Sequence, residues 1–424
     1  MLLFLLVAAV FLACPEAASA QDPGRANGTV STDDDDQDDQ AGLWPEPRVM
    51  SKGIAFVARM LGESDDEPED GFYPEFGNMI TGAGWISIGP GYRHHVLKNR
   101  AIFDTSAALS WRGYKMAQAR IEVPHLAGDR LGLGSQIMWQ DFAQVNYFGL
   151  GIDSSLANQT NYRFQATDLL SYATVQANQW LSVGATVGFL HQPDVSRAGG
   201  WHIAHPDTQA LFGEELAPGL TTQPSFVHTD LSLTVDTRNH PGHPTSGGVY
   251  RVAWESFTAP EAGVFSFHRY EAEAGQFIPV VRDTGLVALR AWTVFSDPAH
   301  GHTVPFYMLP SLGGQNTLRG YHDYRFHDRD LLAVSVESRW ALTTHLDGAV
   351  FIDAGTVAPR IGDLDLSTLK TSYGVGVRLH TRTRTLARVD LGISREGWRV
   401  LFKMNDPLAL TRSAHRTIVA PFVP

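Results

Sequence analysis

The stretch that decides the fold is GGQNTLRGY at residues 313–321, together with VESR at 336–339 and FIDAG at 351–355. Successive side chains of a β-strand point to opposite faces, so a period of two places the charged residues of VESR on one face and apolar residues on the other. The same period puts Asp353 opposite its apolar neighbours in the next strand. A glycine-rich loop with one arginine is therefore followed by two strands whose carboxylates, Glu337 and Asp353, face a shared interior.

Two further segments precede this pattern, YFGLGIDSS at residues 147–155 and DTRNHPGHPTSGG at 236–248. In this order the segments resemble those of the BamA/TamA outer-membrane protein assembly superfamily, also called the bacterial surface antigen family. Its members carry G-x-G-x-[DN]-[ST] and D-x-R-x-x-P-x-x-P-x-x-G segments and an arginine loop. The resemblance implies an all-β fold, a 16-stranded antiparallel transmembrane β-barrel with an inward-folded extracellular loop, located in the cell outer membrane.

The same resemblance implies roles for individual residues. The family's loop arginine corresponds to Arg319, and Glu337 and Asp353 are its expected partners on the inner wall. An ion pair in a partly dry lumen can hold a loop firmly, because removing one member leaves the other desolvated and unpaired. We therefore predict a structural lock and no catalytic residue. The predicted lumenal loop lock comprises Arg319, Gly320, Tyr321, Glu337, Arg339 and Asp353.

The segment at 236–248 is typical of a periplasmic turn. Proline and glycine interrupt the strand pattern there, and we expect Asp236 and Arg238 to close the turn. The residues of this turn motif are Asp236, Arg238, Pro241, Pro244 and Gly247.

The ends of the chain differ in composition from its middle. Residues 1–20 form a short apolar stretch ending in Ala18-Ser19-Ala20, which is typical of a cleaved secretory signal. Six aspartates at positions 33 to 39 favour an acidic, disordered leader over residues 21–50. We assign the barrel to 51–404 and a C-terminal tail to 405–424. The leader is too short for a periplasmic POTRA module, which predicts a POTRA-less member that depends on a separate periplasmic partner.

Alternating runs predict fifteen strands from residue 81 onwards. Bacterial single-chain barrels have an even number, so one strand is missing. Short connections alternate with long ones along the chain, which makes 63–80 external and 51–61 the first strand. The sequence of 51–61, SKGIAFVARML, also suits a short amphipathic helix, and propensity does not decide between the two. The fifteen runs are 81–93, 101–112, 114–124, 130–142, 161–174, 180–191, 225–236, 248–258, 264–279, 284–296, 329–341, 345–357, 371–381, 385–395 and 397–404.

Other chemistry is disfavoured by composition. The net charge of -12 gives no basic surface for nucleic acid. The single cysteine, Cys14, lies in the signal, so a thiolate metal site is excluded from the mature chain. Histidines in loops are more often solvated than ligating, and we predict no metal and no cofactor. The closely spaced histidines considered were His94 with His95, His202 with His205, His240 with His243, and His300 with His302.

The leading hypothesis is a translocation pore or insertion scaffold for protein or lipid, surrounded by outer-membrane lipid and assisted by a periplasmic partner or client protein. The alternative is a passive diffusion porin whose inward charges set ion selectivity. A membrane-embedded hydrolase is a third hypothesis, because triads assemble in space and sequence spacing does not exclude one. Glycoside cleavage by Glu337 and Asp353 is less favoured, since inward charges line most barrels.

Overall fold

One antiparallel sheet of sixteen strands dominates the structure. The computed structural model describes residues 42–47, 51, 54, 70–76, 86–200, 204–260, 263–281 and 284–404. All of them belong to the second of the two units into which the chain divides, Gln40–Pro424. The strands, in chain order, are β1 (Gly71–Phe76), β2 (Ser87–Val96), β3 (Ala101–Ser110), β4 (Lys115–Leu126), β5 (Leu131–Tyr147), β6 (Thr160–Asn178), β7 (Leu181–Arg197), β8 (Phe226–Asp236), β9 (Gly247–Thr258), β10 (Phe267–Val281), β11 (Gly285–Pro298), β12 (Ser311–Leu312), β13 (Phe326–His327), β14 (Asp330–Thr343), β15 (Leu346–Ala358), β16 (Lys370–His380), β17 (Thr385–Ser394) and β18 (Gly397–Lys403).

The helices named within the described ranges are short. The α-helix α1 spans Thr208–Leu211, and 3-10 turns occur at Leu156–Asn158, Phe306–Met308, Ile361–Asp363 and Leu366–Thr368. Within the described ranges, no helix combines the length and the apolar character that crossing a membrane requires.

The sheet confirms the predicted fold class, a transmembrane β-barrel. Each large strand pairs with the next along the chain, and β12 and β13 form a separate pair inside the long connection between β11 and β14. The burial pattern is the reverse of a soluble sheet: Ile352 is 60% exposed, whereas its neighbour Asp353 is 0% exposed. An apolar outer face and a polar inner face are what lipid on one side and a polar lumen on the other require. The exposed apolar rows of the last five strands include Val334, Val336, Val350, Ile352, Tyr373, Val375, Val377, Val389, Leu391 and Val400.

The first strand corrects the sequence prediction. The strand missing from the fifteen predicted runs is β1, Gly71–Phe76. It lies inside the segment 63–80, for which the sequence predicts an external loop. Of residues 51–61, only Ser51 and Ile54 are described, and both are helical. The helical alternative for this segment therefore fits the two described positions, and strand pairing begins about twenty residues later than expected. The predicted signal, most of the leader and the tail at 405–424 lie outside the described residues.

Buried aromatic side chains fill the barrel interior toward its extracellular end. They come from inner faces of strands such as β5, β6 and β10 and from the connection between β11 and β14, which folds inward. We call this group the lumenal aromatic cluster: Tyr114, Phe142, Tyr147, Tyr162, Phe164, Phe212, Phe226, Phe257, Phe265, Phe267, Phe306, Tyr307 and Tyr324. The rings are in direct contact, as for Tyr147 and Phe306, whose centroids lie 4.9 Å apart, within the range that aromatic pairs prefer.

The two ends of the strand order are β1 and β18, of six and seven residues. All neighbouring strands in this order are joined by β-ladders. No ladder between the two end strands, β1 and β18, is present among the described residues. The sheet therefore has its shortest strands at its seam.

Candidate functional site

Two glycines begin the loop that carries Arg319. Gly313 and Gly314 have φ values of +112° and +93°, which side-chain-bearing residues rarely adopt. A Cβ at Gly313 would lie 2.1 Å from the carbonyl oxygen of His322, so a side chain there would force the two arms of the loop apart. The arms are joined by the short β12–β13 pair, in which Ser311 faces His327. This local geometry directs the segment between them toward the barrel wall.

Arg319 is 1% exposed and bridges two strands of the wall. Its Nε and Nη2 donate to Asp353 Oδ2 and Oδ1 at 3.0 and 2.7 Å, and its Nη1 donates to Glu337 Oε2 at 2.5 Å. The backbone N–H of Arg319 also donates to Asp353 Oδ2, at 3.1 Å. A bidentate arginine–carboxylate pair combines charge with fixed geometry, and a second carboxylate takes up another donor. The structure thus brings together the three charged residues on which the sequence prediction depended.

An aromatic ring lies beneath the guanidinium. Arg319 Cζ is 3.4 Å from the centroid of Phe351, which occupies the inner face of β15 two residues before Asp353. Space for that ring comes from Gly374 on β16, where a Cβ would lie 2.6 Å from Phe351 Cζ. The cation is therefore held by carboxylates at its edge and by a π face on one side.

Close backbone contact explains the glycine that follows Arg319. A Cβ at Gly320 would lie 2.7 Å from the carbonyl of Ile393 on β17 and 2.8 Å from Ser372 Cβ. On the facing strand, a Cβ at Gly392 would lie 2.5 Å from the carbonyl oxygen of Arg319. The hydroxyl of Ser394 donates to the Gly320 carbonyl at 2.8 Å. The loop thus lies directly on the backbone of β17, and only paired glycines permit this approach.

Tyr321 has a packing role in the same loop. Its side chain is 2% exposed, and its ring lies 5.3 Å from that of Phe326 in β13. It belongs to an apolar group that joins the loop to β11, β14 and β15 and consists of Trp292, Val294, Leu312, Leu318, Tyr321, Phe326, Leu331, Ala333 and Val357. The aromatic residue after Arg-Gly therefore anchors the loop by apolar contact.

The charged network extends beyond the predicted residues. Arg339 contacts Glu337, with Nε 2.8 Å from Oε1. Arg378 on β16 joins Glu337 at 3.0 Å to Asp390 at 2.5 Å. Arg388 on β17 donates to Asp390 Oδ2 at 2.7 Å and to the loop carbonyl of Gln315 at 2.8 Å. Asp390 also lies 3.9 Å from Arg319 Nη1.

Sequence reasoning missed Arg378, Arg388 and Asp390, although a signal was available. The period of two in 371–381 and 385–395 puts all three at inward positions, as it does for Glu337. Four arginines and three carboxylates meet here, counting Arg319, Arg339, Arg378 and Arg388 against Glu337, Asp353 and Asp390. The arginines outnumber the carboxylates by one. Glu337 and Asp390 each lie within 4 Å of three arginines, and Asp353 accepts two hydrogen bonds from the guanidinium of Arg319.

The G-x-G-x-D-S segment at 149–154 contacts the C-terminal arm of the loop, around β13. Leu150 forms a parallel bridge with His327, and the N–H of Gly151 donates to the His327 carbonyl at 2.8 Å. Arg325 donates to the hydroxyl and carbonyl of Ser154 at 2.9 and 2.7 Å. The same guanidinium pairs with Glu396, in the turn between β17 and β18, at 2.9 Å. The loop is thus attached to two connections at the extracellular end as well as to the wall.

His322 completes the loop's contacts with the last strand. Its Nδ1 lies 2.9 Å from Arg399 Nη1, and because arginine only donates, this nitrogen accepts the hydrogen bond. Burial, with the nearby charges of Arg399 and Arg325, lowers the pKa of His322 from its ordinary 6.5 to about 4. The docked loop therefore carries a neutral histidine at this point.

The turn motif has the expected local pairing. Arg238 Nη2 lies 2.5 Å from Asp236 Oδ2, and Arg238 Nη1 donates to the Pro241 carbonyl at 3.2 Å. Gly247 has a φ of +87°, and a Cβ there would lie 2.1 Å from the carbonyl oxygen of Thr237. Pro244 is buried within the turn. The motif residues thus fold the turn back on itself.

The turn also reaches across the interior of the barrel. Gly242 forms a parallel bridge with Arg384, and the N–H of Thr385 donates to the Gly242 carbonyl at 2.9 Å. Four strands, β10, β11, β14 and β15, lie between β9 and β16 in the sheet. A contact between positions so far apart along the sheet requires the turn to fold inward at the periplasmic end.

The closely spaced histidines of the sequence make separate local contacts where the structure describes them, and His202 lies outside the described residues. His94 and His95 both contact Asp70, at 2.8 and 2.5 Å, and His302 accepts from the N–H of Ser266 at 3.1 Å. The described residues include one group of potential metal ligands that the sequence analysis did not identify: His243, Asp347 and His380, all buried. Sequence spacing gave no sign of it because its members come from a turn and two strands.

Comparison with known proteins supports the fold at two levels. The model of the Omp85 superfamily domain matches residues 117–396. BamA from Haemophilus ducreyi, in a crystal structure lacking POTRA domains 1–3, is similar with a TM-score of 0.58 and 12% identity over 84% of this chain and 77% of that one. CdiB from Escherichia coli is similar with a TM-score of 0.51 and 12% identity over 80% of this chain and 63% of that one. No curated protein sequence matches.

Proposed function

Because this chain belongs to the Omp85 superfamily, we propose that it works in the outer membrane as an insertion scaffold or translocation pore for a protein or lipid client. In this proposal the loop of Arg319 closes the lumen at rest and is released during transport. We propose that the residues of the lumenal loop lock hold this loop in its closed position.

The observation that carries it is the attachment of Arg319 to β14 and β15 through Glu337 and Asp353. All three side chains are at most 2% exposed. Breaking a buried ion pair of this kind costs about 3–5 kcal/mol, because one charge is left uncompensated. A contact of that strength suits a gate that stays shut until a client or partner supplies binding energy.

The lumenal aromatic cluster favours a gated pore over a passive diffusion porin. Phe306 and Tyr307, from the inward connection, are 0% exposed and pack against Tyr147, Tyr162 and Phe164 of the wall. Porins keep a water-filled channel, whereas barrels with a filled lumen hold a plug. Packed aromatic rings at this level would hinder the passage of a small solute.

The seam supports a route for a client into the membrane. The two shortest large strands of the sheet, β1 and β18, stand at its ends and are not joined by a ladder among the described residues. An edge strand offers unpaired N–H and C=O groups to an incoming strand. We propose that a client strand pairs at this edge, and that a separate periplasmic partner or client protein delivers it.

The proposal is not catalytic. One arrangement of hydroxyl, imidazole and carboxylate among the described residues is Thr385 Oγ1, 3.2 Å from His243 Nδ1, with Asp347 3.6 Å from His243 Nε2. Thr385 is 2% exposed, so its hydroxyl does not meet a substrate. Incubation of the purified barrel with phospholipid should release no lysolipid.

The test is the conductance of the purified barrel in planar bilayers. Arg319→Ala should raise conductance and speed protease cleavage of the connection between β11 and β14, because the loop loses its ion pairs with the wall and Asp353 loses its arginine partner. Arg360→Ala is the matched control: Arg360 is an exposed arginine in the neighbouring connection between β15 and β16. Equal conductance and equal cleavage in the two variants would refute the gate.

Liposome swelling separates the two pore types. The parent protein should exclude small sugars, whereas a passive porin admits them without any partner. Sugar uptake by the parent barrel at the rate of the Arg319→Ala variant would favour the porin.

A further inference from the structure

We propose that His243, Asp347 and His380 form a binding site for a divalent transition-metal ion of the zinc class at the periplasmic end of the barrel. The three residues come from the turn between β8 and β9, the start of β15 and the end of β16. None has a part in the gate proposed above. The metal would fasten the inward-folded turn to the wall.

The ligand atoms converge in a geometry that suits one ion. His380 Nε2 lies 3.2 Å from Asp347 Oδ1, and His243 Nε2 lies 3.6 Å from Asp347 Oδ2. Two ligands of a tetrahedral zinc ion, each at about 2.1 Å from the metal, are about 3.4 Å apart. The two nitrogen–oxygen distances observed here, 3.2 and 3.6 Å, lie just below and just above this ligand–ligand distance. All three ligand atoms fall within 4.8 Å of one another, so rotation of the side chains toward a shared ion would complete the site.

The hydrogen bonds of His380 indicate which nitrogen is free to ligate. Its Nδ1 lies 2.9 Å from the carbonyl oxygen of Thr381, which only accepts, so Nδ1 carries the proton. In the neutral ring, Nε2 then presents its lone pair to Asp347. This nitrogen is buried and makes no well-formed hydrogen bond among the described residues. Metal-ligating histidines characteristically donate their other N–H to a backbone carbonyl or a carboxylate.

His243 is arranged in the same way. Its Nδ1 lies 3.2 Å from the hydroxyl of Thr385, and its Nε2 faces the same carboxylate as that of His380. The two imidazole rings are stacked, with centroids 3.8 Å apart and planes 10° from parallel, and because a metal lies close to the plane of a ligating ring, the rings would tilt toward each other to share one ion. Two imidazolium cations would repel each other at this distance, so protonation of both rings is disfavoured. A single divalent cation satisfies both nitrogen lone pairs and the carboxylate together.

The surroundings allow an ion to enter and leave room for a further ligand. The three residues line a cavity of about 470 Å³ that also contains polar side chains of Thr245, Ser246 and Thr284. Arg339 lines the cavity as well, with its Nε 2.8 Å from Glu337 Oε1. Two neutral imidazoles, one carboxylate and water are a donor set that zinc accepts.

The test measures metal on the full chain, purified in detergent without a polyhistidine tag. The protein is stripped with a chelator, exposed to Zn²⁺, desalted and analysed for zinc by mass spectrometry. We expect about one zinc ion per parent chain, and about a tenth of that in His243→Asn and His380→Asn. His240→Asn is the matched control, because His240 is an exposed histidine of the same turn, and it should retain the full amount.

A gentler variant covers the case in which a ligand substitution prevents folding. Thr385→Val keeps the volume of the side chain but removes the hydroxyl that orients His243, and it should weaken zinc binding about tenfold to a hundredfold. Co²⁺ bound to the parent barrel should show the visible absorption of a tetrahedral site, and Thr385→Val should need correspondingly more Co²⁺ to produce it. If the parent chain retains no zinc, or if its zinc content is unchanged in His243→Asn, or if Thr385→Val binds as tightly as the parent, the site is a histidine–carboxylate pair and the proposal is wrong.

Discussion

The guanidinium carbon of Arg319 lies 3.4 Å from the ring centroid of Phe351, so the cation that holds the loop is stacked on the wall of the barrel as well as paired with it. The ring and the carboxylate of Asp353 come from the same face of β15, two residues apart. One strand therefore provides both a π face and a bidentate acceptor to one arginine.

Replacing the ring should weaken the loop without removing an ion pair. In Phe351→Leu the carboxylates remain, but the cation–π contact is lost, at a cost of about 1–2 kcal/mol for a desolvated site. We expect faster protease cleavage of the connection between β11 and β14. Phe402→Leu is the control, since Phe402 lies on the outer face of β18 and is 36% exposed. Equal cleavage of the two variants would show that the ring contributes only volume.

Lysine should not replace arginine in the lock. Arg319→Lys keeps the positive charge, but a single ammonium group does not reproduce the bidentate pair with Asp353 and the contact with Glu337 at once. We expect the denaturant midpoint of the folded barrel to fall, by an amount that approaches the loss in Arg319→Ala. A variant that matched the parent in midpoint and in conductance would mean that net charge alone holds the loop.

The glycine opposite the loop is expected to tolerate no side chain. In Gly392→Ala the new Cβ would lie 2.5 Å from the carbonyl oxygen of Arg319, so either β17 or the loop must shift, at a cost of about 1–3 kcal/mol. Thermal unfolding of the detergent-solubilised barrel measures the loss. Gly362→Ala is the control, because a Cβ at Gly362 meets nothing within 4 Å. A Gly392→Ala barrel as stable as the control would contradict the close contact.

Acid should loosen the loop through His322. Its pKa is about 4 when the loop is docked, against an ordinary value of 6.5, so a released loop takes up a proton that the docked loop refuses. Docking is therefore strongest above pH 6.5 and weakens as the pH falls from 6.5 toward 4. We expect protease cleavage of the loop to rise between pH 7.5 and about 5.

His322→Gln isolates this effect, because glutamine can accept from Arg399 but does not titrate. Its cleavage should depend less on pH over the same range than that of the parent, and all other titrating groups are common to both proteins. His300→Gln, at an exposed histidine of the same connection, should keep the parent's pH dependence. An unchanged pH dependence in His322→Gln would assign the acid response to other groups.

The sequence alone determined the architecture and the centre of the site. The alternation of apolar and polar residues is a local property of each strand. Because the outer face of every strand meets lipid, this alternation can be recognised in the sequence without knowing which strands are neighbours. The fifteen predicted runs correspond to β2–β11 and β14–β18, with ends that differ by a few residues, as 329–341 does from Asp330–Thr343. The alternation around Glu337 and Asp353 placed both inward, where the structure brings them to Arg319.

The first strand could not be identified in the same way. β1 is six residues long and reads GFYPEF, and because it is so short and has a proline in its middle, its pattern does not identify it as a strand. Its position depends on pairing with β2, where Gly71 faces Arg93, and on the ion contacts of Asp70 with His94 and His95. Pairing between distant segments is a tertiary property, and the closure rule gave the number of strands but not the place of this one.

Only the tertiary structure decided which distant residues meet. The stacking of Phe351 under Arg319, the glycine contact of Gly392 with the loop, and the group of His243, Asp347 and His380 all join segments that the chain separates by tens of residues. Each depends on the curvature of the sheet, which brings loops and turns to its inner face. The sequence determined which face each side chain occupies, since that follows from the backbone of a single strand. Which side chains share the interior depends on how all sixteen strands are arranged around it.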